Sequence, residues 1–339
     1  MIFDHSENEH ETIVFGQDKA SGLRAIIAIH SRARGPAIGG CRMRAYPDDH
    51  SALTDVLRLS KGMSYKCAIG DIPFGGGKAV ILGDPNVLKS RELLLAMGDF
   101  VDQLGGRYIT SFDSGTSLED IQVIGERTAH IGGIAPGAGN ASASTALSVF
   151  TCMEESVRLH LSAETMAGLT VAIQGAGNVG ARLASMLDAA GARVLLSDID
   201  EVRLERAVAG SEVIPVSPEK ILHTECDVLA PCAFGAVITP DLVHHLRCSV
   251  VCGGANNQLA NERIADALAS DKIFYCPDFL ANAGGIIDLH YQLNEPSRDP
   301  LPDHIDGLRE TLRSCYRITQ SENLNMLQAA NRIAESRFR

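Results

Sequence analysis

The stretch "TVAIQGAGNVGARLASMLDAAGARVLLSDID" (170–200) limits what this chain can become more than any other. The apolar run from Thr170 to Gln174 predicts a strand. Gly175, Gly177 and Gly180 then place G-x-G-x-x-G at the turn into a helix, and a second strand ends at Asp198. The glycines permit a tight turn, close approach of a pyrophosphate and close packing of helix on sheet, while the helix N-terminus offers free N–H groups. An acid at the end of the second strand accepts hydrogen bonds from an adenosine ribose and repels a 2′-phosphate, so Asp198 favours NAD over NADP. Asp200 stands close enough to share that role. A glycine trio alone also occurs in structural turns. Strand, helix, second strand and terminal acid together point to a dinucleotide-binding βαβ unit.

The surrounding pattern agrees. "GLTVAIQ", "ARVLLSD", "CDVLAPCA", "CSVVCGG" and "KIFYCPD" are short buried strands separated by helical stretches, as a parallel, doubly wound sheet requires. Upstream, "LRAIIAIHS" (23–31), "GKAVILGD" (77–84) and "RYITSFD" (107–113) read as strands. "SALTDVLRLSKGMSYK" reads as a helix with Asp49 or Ser51 available as its cap, and "SRELLLAMGDFVDQLGG" as another ending at Gly105. The small residues of "GGIAPGAGNASAST" (132–145) suggest a linker or hinge. From Leu301 the chain is polar and helical, and it could close back onto either domain. The expected organisation is α/β: a first domain over 1–140, a Rossmann domain over 141–300, and C-terminal helices over 301–339.

At 339 residues, 45% hydrophobic and 21% charged, the chain is ordinary for a soluble two-domain protein. A net charge of −12 argues against a general nucleic-acid binder or a protein of anionic membrane surfaces. The acidic opening "MIFDHSENEHETIVF" lacks a signal-peptide pattern, and no apolar run reaches the ~20 residues of a bilayer span. A cytoplasmic protein is expected. The nine cysteines suggest no disulfide framework and read as buried, reduced thiols. His244, His245, Cys248 and Cys252 cluster in sequence without matching a metal-site spacing, so no metal is expected.

Lys66 and Lys78 raise a separate question, because Lys78 follows three consecutive glycines in a segment with almost no other charge. A phosphate-cradling P-loop is excluded, since position 79 is Ala and position 72 is Ile where the motif needs Ser/Thr and Gly. Two solvated surface lysines would be the ordinary alternative, but the apolar surroundings oppose it. Burial and a neighbouring ammonium on Lys66 would both disfavour the charged form of Lys78. The amine would then serve as a general base near neutral pH.

At this point a family resemblance emerges. "GPAIGGCRM" (35–43), "LRLSKGMSYK" (57–66), "GGGKAVILGDP" (75–85), "GRYITSFDSGT" (106–116), "QGAGNVG" (174–180), "APCAFGAV" (230–237), "GGANNQLA" (253–260) and "PDFLANAGGIID" (277–288) resemble the Glu/Leu/Phe/Val amino-acid dehydrogenases. The resemblance is strongest toward those acting on leucine, valine, phenylalanine and tryptophan, and it runs over about residues 12 to 336. It implies two domains separated by a cleft, an N-terminal α/β domain for substrate and oligomerisation and a Rossmann doubly wound NAD-binding domain. It further implies Lys78 as the catalytic lysine, Asp113 as the catalytic acid, and Lys66, with backbone near Gly39 and Gly40, on the substrate carboxylate. For the cofactor it implies Thr145, the turn residues Ala176, Asn178 and Val179, and Ile199 beside Asp198. Pro231, Cys232 and Ala233, then Ala255, Asn256 and Asn257, then Asn282 complete the set, Asn257 also facing the substrate amine.

The implied reaction is reversible oxidative deamination of an L-amino acid, with small-molecule substrates, ammonia, NAD and a homo-oligomeric assembly. Glutamate dehydrogenases carry a lysine in "KGG" for the substrate's side-chain carboxylate, where this chain has Ile38. Ile38, Met63, Ser111, Ile286 and Leu289 match side-chain-pocket positions and favour a branched aliphatic substrate. Two departures stand out: "GNASAST" (139–145) lacks the two prolines usual at the hinge, and "IIDLHYQLNEPSRDPLPDH" (286–304) differs from the common pattern. An oxidoreductase for another imino, amino or aromatic substrate, and a non-catalytic NAD-binding regulator, are the alternatives.

Overall fold

The computed structural model describes residues 9–133, 141–233, 235–294 and 297–338. They fall into two compact units, one of residues 9–133, 289–294 and 334–338, the other of 141–233, 235–288 and 297–333.

In the first unit, β1 (Thr12–Asp18), β2 (Leu23–Ser31), β3 (Ala37–Arg44), β4 (Gly75–Leu82) and β5 (Tyr108–Phe112) form one sheet in the order β1-β2-β4-β3-β5. β2 runs antiparallel to β1 and β4, whereas β3 is parallel to β4 and β5. The helices are α1 (Asp49–Ile69), α2 (Pro85–Leu88), α3 (Arg91–Asp102) and α4 (Leu118–Ile124). Ile26, Ala28 and Val80 pack under Ala52, Leu53 and Val56 of α1. On the opposite face Ala25, Ile27, Ala79 and Ile81 meet Leu93, Leu94 and Met97 of α3 and Ile121 of α4. β2 is therefore covered on both faces, and for that reason reads as an unbroken apolar run. Helix α1 is capped by Asp48, whose side chain accepts from Ser51 N, one residue ahead of the expected cap.

The glycines before Lys78 are explained by packing. A Cβ on Gly76 would stand 2.0 Å from Ser64 N on α1, and one on Gly77 would stand 2.7 Å from the Tyr108 ring. Only a strand without side chains lets α1 and β5 approach β4 this closely.

The second unit holds an all-parallel sheet of β6 (Thr170–Gln174), β7 (Arg193–Ser197), β8 (Ile214–Pro215), β9 (Val228–Pro231), β10 (Val250–Val251) and β11 (Phe274–Tyr275). Its order, β11-β10-β9-β6-β7-β8, reverses between β6 and β9, and ligands of such sheets bind beyond the strand carboxyl ends at that point. The accompanying helices are α5 (Ala141–Leu161), α6 (Asn178–Ala189), α7 (Glu201–Val208), α8 (Pro218–Ile221), α9 (Pro240–Val243), α10 (Ile264–Ser270) and α11 (Asp278–Ala281). After them come α12 (Gly284–Asn294), α13 (Leu301–Asp306), α14 (Leu308–Glu322) and α15 (Met326–Phe338), of which residues 289–294 of α12 and 334–338 of α15 belong to the first unit.

One expectation is corrected. Of the presumed linker 132–145, residues 134–140 lie outside the described residues, but 141–145 open helix α5. Their small side chains serve close packing, since a Cβ on Gly284 would lie 1.9 Å from Ser144 O, and Ser148 Oγ donates to Ala281 O at 2.7 Å. Sequence alone could not distinguish small residues that pack from small residues that flex. All nine cysteines are free, six of them buried. Among the described residues no helix is long and apolar enough to cross a membrane.

Candidate active site

Lys78 is the fourth residue of β4 and only 7% exposed, so the removal of its amine from bulk water is met. What the spacing of two lysines could not reveal is its partner: Asp113 Oδ2 lies 2.7 Å from Lys78 Nζ. Asp113 follows β5 directly, and its backbone is tied back by Asp113 N donating to Thr116 Oγ1 at 3.0 Å. Gly40 gives the aspartate room, because a Cβ there would sit 2.7 Å from Asp113 Cβ. Gly39 is closed in by Gly77, whose carbonyl would be 1.8 Å from an added Cβ, and its own carbonyl accepts from Tyr108 Oη at 2.7 Å.

Arg42 was not singled out from the sequence. Its Nε donates to the same Asp113 Oδ2 at 3.1 Å, and its Nη1 reaches Asp55 Oδ2 at 3.0 Å, which also accepts from Tyr46 Oη at 2.8 Å. Strand parity held the signal: Arg42 is two residues beyond Gly40 and so emerges on the same face. Burial pushes the Asp113 carboxyl up, but Lys78 and Arg42 outweigh it and hold the group below the ordinary carboxylate range. The neighbouring Cys41 thiol is pushed up to about 12, by burial first and then by Asp113, so it stays protonated.

The other predicted substrate positions distribute as follows. Lys66 is half-buried in the last turn of α1, and Met63, also half-buried, lies one turn before it. Ile38 is wholly buried in β3 between Gly76 and Ile109. Ser111 and Leu289 converge on Gly133, whose added Cβ would be 2.9 Å from Ser111 Oγ and 3.8 Å from a Leu289 methyl. Ile286 is buried in the first part of α12, which belongs to the second unit.

In the second unit Gln174, Gly175, Gly177, Ser197, Asp198, Ile199, Cys232 and Ala233 line a cavity of about 400 Å³. Gly175 sits at φ +102°, where a side chain would be strained and would press on Ala233. A Cβ on Gly180 would lie 1.9 Å from Gly175 O, whereas one on Gly177 would meet only open space. The three glycines thus serve turn, open approach and packing separately. Asp198 is largely buried and braces the turn: Oδ2 accepts from Ala176 N at 2.7 Å and Oδ1 from Asp200 N at 2.9 Å. Arg203, missed in the sequence, also lines the cavity and stands 3.6 Å from Asp198 and 3.4 Å from Asp200.

A second group of predicted residues collects beyond β9 and β10. Asn282 Nδ2 donates to Asn256 Oδ1 at 3.0 Å and to Ala255 O at 3.4 Å, and Ala255 N donates to Pro231 O at 2.9 Å. Asn257 adopts φ +52°, a conformation asparagine tolerates better than most residues. Thr145 Oγ1 donates to Ala141 O at 2.7 Å beside Gly285.

Residues 10–130 match the Glu/Leu/Phe/Val dehydrogenase dimerisation domain, and 137–202 and 196–338 match Glutamate/Leucine/Phenylalanine/Valine dehydrogenase. The chain belongs to this dehydrogenase family. It is 39% identical to a leucine dehydrogenase of Thermoactinomyces intermedius, covering 99% of this chain and 93% of that protein. It is 40% identical to a phenylalanine dehydrogenase of Bacillus thermotolerans, covering 98% and 89%. The crystal structure of L-tryptophan dehydrogenase from Nostoc punctiforme superposes with a TM-score of 0.86 at 34% identity, over 98% and 96% of the two chains. A hetero-hexameric glutamate dehydrogenase from Thermus thermophilus shares the fold at 20% identity and a TM-score of 0.78, over 97% and 88%. The dehydrogenase is an oxidoreductase of the CH–NH₂ group with NAD as cofactor. The second unit fits that cofactor, with open space at Gly177 and two buried acceptors, Gln174 Oε1 and Asn282 Oδ1, that have no partner among the described residues.

Proposed function

We propose that this dehydrogenase deaminates a branched-chain aliphatic L-amino acid oxidatively and reversibly, giving the 2-oxo acid and ammonia. The observation that carries this reading is the buried pair of Lys78 Nζ and Asp113 Oδ2 at 2.7 Å. NAD, when bound, supplies the acceptor for the hydride that leaves Cα. The glycine turn at Gly175, Gly177 and Gly180, with Asp198, Asn256 and Asn282, would hold it.

The remaining work is placement and proton transfer. Lys66 holds the α-carboxylate through its ammonium. Lys78 Nζ, once it has given up its resting proton and is a neutral amine, takes a proton from the water that adds to the imine carbon. Asp113 Oδ2 accepts that proton from Nζ and passes it to the substrate nitrogen. As the C–N bond breaks and ammonia departs, Nζ, neutral again, takes the hydroxyl proton and the carbonyl forms. A carboxylate in this role must be ionised, which the Arg42 guanidinium beside Asp113 favours while Lys78 is the neutral amine. The apolar Ile38 offers nothing to a side-chain carboxylate, which supports an apolar substrate.

The division of labour between an N-terminal substrate and oligomerisation domain and a C-terminal cofactor domain is part of the same proposal. It is supported by the dimerisation-domain match over 10–130. Nine free cysteines support a reducing, cytoplasmic location.

The test is NADH appearance at alkaline pH with a panel of L-amino acids, for wild type and Lys78→Ala. Valine, leucine or isoleucine should lead the panel ahead of phenylalanine, tryptophan and glutamate. Lys78→Ala should lose about 10²–10⁴-fold, the usual worth of a general base. Full activity in that variant would remove Lys78 from the mechanism.

A further inference from the structure

Arg42 takes no part in the proton transfers just described, yet its guanidinium reaches into them. Its Nε and the Lys78 amine converge on one oxygen, Asp113 Oδ2, at 3.1 and 2.7 Å. The other end of the guanidinium is fixed by Asp55 Oδ2 at 3.0 Å, and that same oxygen is held by Tyr46 Oη at 2.8 Å. Both Arg42 and Asp55 are largely buried, with side chains 19% and 13% exposed. A planar fork clamped at one end presents the other in a fixed direction, which a lysine on a flexible stem does not do.

We propose that Arg42 is a positioning residue for this reaction: anchored on Asp55 and Tyr46, it pins the Asp113 carboxylate against Lys78 Nζ. The inference rests on the roles given to Lys78 and Asp113 above. Oδ2 could rotate away from Nζ if Lys78 alone held it. With Arg42 attached, rotation breaks two charge-assisted bonds together, so the proton acceptor stays aligned through the catalytic cycle.

The charged and titratable groups around Asp113 are Lys78 on β4, Arg42 and Cys41 on β3, Tyr108 on β5, and Asp55 on α1 with Arg58 beside it at 3.8 Å. Cys41 and Tyr108 are buried and remain protonated, both groups being held above their ordinary values chiefly by burial. Asp55 is turned to Arg42. Removing the Arg42 charge therefore leaves Lys78 as the one cation paired with Asp113 among the described residues.

The test compares Arg42→Gln, Arg42→Lys and Asp55→Asn with wild type in pH profiles of kcat/KM. Arg42→Gln should lower kcat/KM about 10–100-fold, the equivalent of one charge-assisted hydrogen bond. Its acid limb should move to higher pH, because a cation beside the Lys78–Asp113 pair is removed and the pair then holds its proton more tightly. Arg42→Lys should recover part of the rate and most of the limb, and Asp55→Asn should show a smaller loss in the same direction. An acid limb that stays in place in Arg42→Gln, whatever the rate, overturns the proposal, as does an Arg42→Lys no better than Arg42→Gln. Should Arg42→Gln not fold, an Asp55→Asn indistinguishable from wild type overturns it. A ¹³C NMR titration of the Asp113 carboxyl in wild type and Arg42→Gln needs no turnover. A shift there without activity on any amino acid would refute the functional reading alone, and no shift would refute the positioning.

Discussion

Gly40 and Asp113 stand so close that a Cβ on the glycine would lie 2.7 Å from the aspartate Cβ and 2.7 Å from Phe112 O. The absence of a side chain at one position of β3 therefore sets where the carboxylate after β5 can reach. Gly40→Ala should push Asp113 away from Lys78, and a displacement near 1 Å costs about 10²-fold in turnover. NADH titration, which reports on the second unit, should stay at wild-type affinity. Unchanged turnover in Gly40→Ala would show that Asp113 tolerates displacement.

The three turn glycines separate fold from affinity. Gly177 faces open space, so Gly177→Ala should keep the wild-type Tm and lose NADH affinity, its methyl occupying the approach of the pyrophosphate. Gly180→Ala, with its Cβ 1.9 Å from Gly175 O, should destabilise the unit by about 1–3 kcal/mol, the usual overpacking cost. Thermal unfolding and fluorescence titration on the two variants check this. Equal Tm losses in both would refute the separation.

The parallel sheet was legible because buried parallel strands are apolar throughout and the glycine turn marks the first of them. β4 and β5 were also legible, but β1 and β3 were not. The edge strand β1, "TIVFGQD", is only partly covered, and β3, "AIGGCRMR", carries two glycines that mask its alternation. The small residues of 141–145 pointed to a hinge because sequence does not reveal that Gly284 lies against them. Within the site, Lys78 was visible through its apolar context. Arg42 was not, since Asp113 is distant in sequence and reaches it only through the β3–β5 register, while Asp55 reaches it only through the packing of α1 on the sheet.

Glu155 supplies a stability prediction away from the chemistry. It is wholly buried in α5 and accepts from Arg158 at 2.8 Å and from Arg313 of α14 at 2.8 and 3.0 Å. Glu155→Ala takes the buried carboxylate from two guanidiniums, but each keeps a second one, Glu164 for Arg158 and Glu310 for Arg313, and both are more than a third exposed and can be rehydrated. The loss should therefore fall at about 2–3 kcal/mol, below the upper range for a broken buried pair. Urea unfolding at neutral pH measures it, and a loss under 0.5 kcal/mol would show the pair to be energetically idle.

Asp113 predicts how stability changes with acid. Burial opposes its ionisation, yet Lys78 and Arg42 lower its folded pKa below the ordinary 3.8. A carboxyl so shifted contributes stability that is fully present above that ordinary value and is lost as pH falls through the folded one. Wild type should therefore exceed Asp113→Asn in unfolding free energy by a constant amount from neutral pH down to about 4. The gap should then close at lower pH. At neutral pH the substitution should cost about 3–5 kcal/mol, because it leaves the amine of Lys78 buried without its carboxylate. Lys78→Met added to Asp113→Asn should regain part of that loss, since the double variant has no charge left to desolvate at β4. Denaturant unfolding of the three proteins between pH 3 and 7 decides the point. A gap that widens toward acid would mean that the folded protein holds Asp113 less ionised than the unfolded chain does.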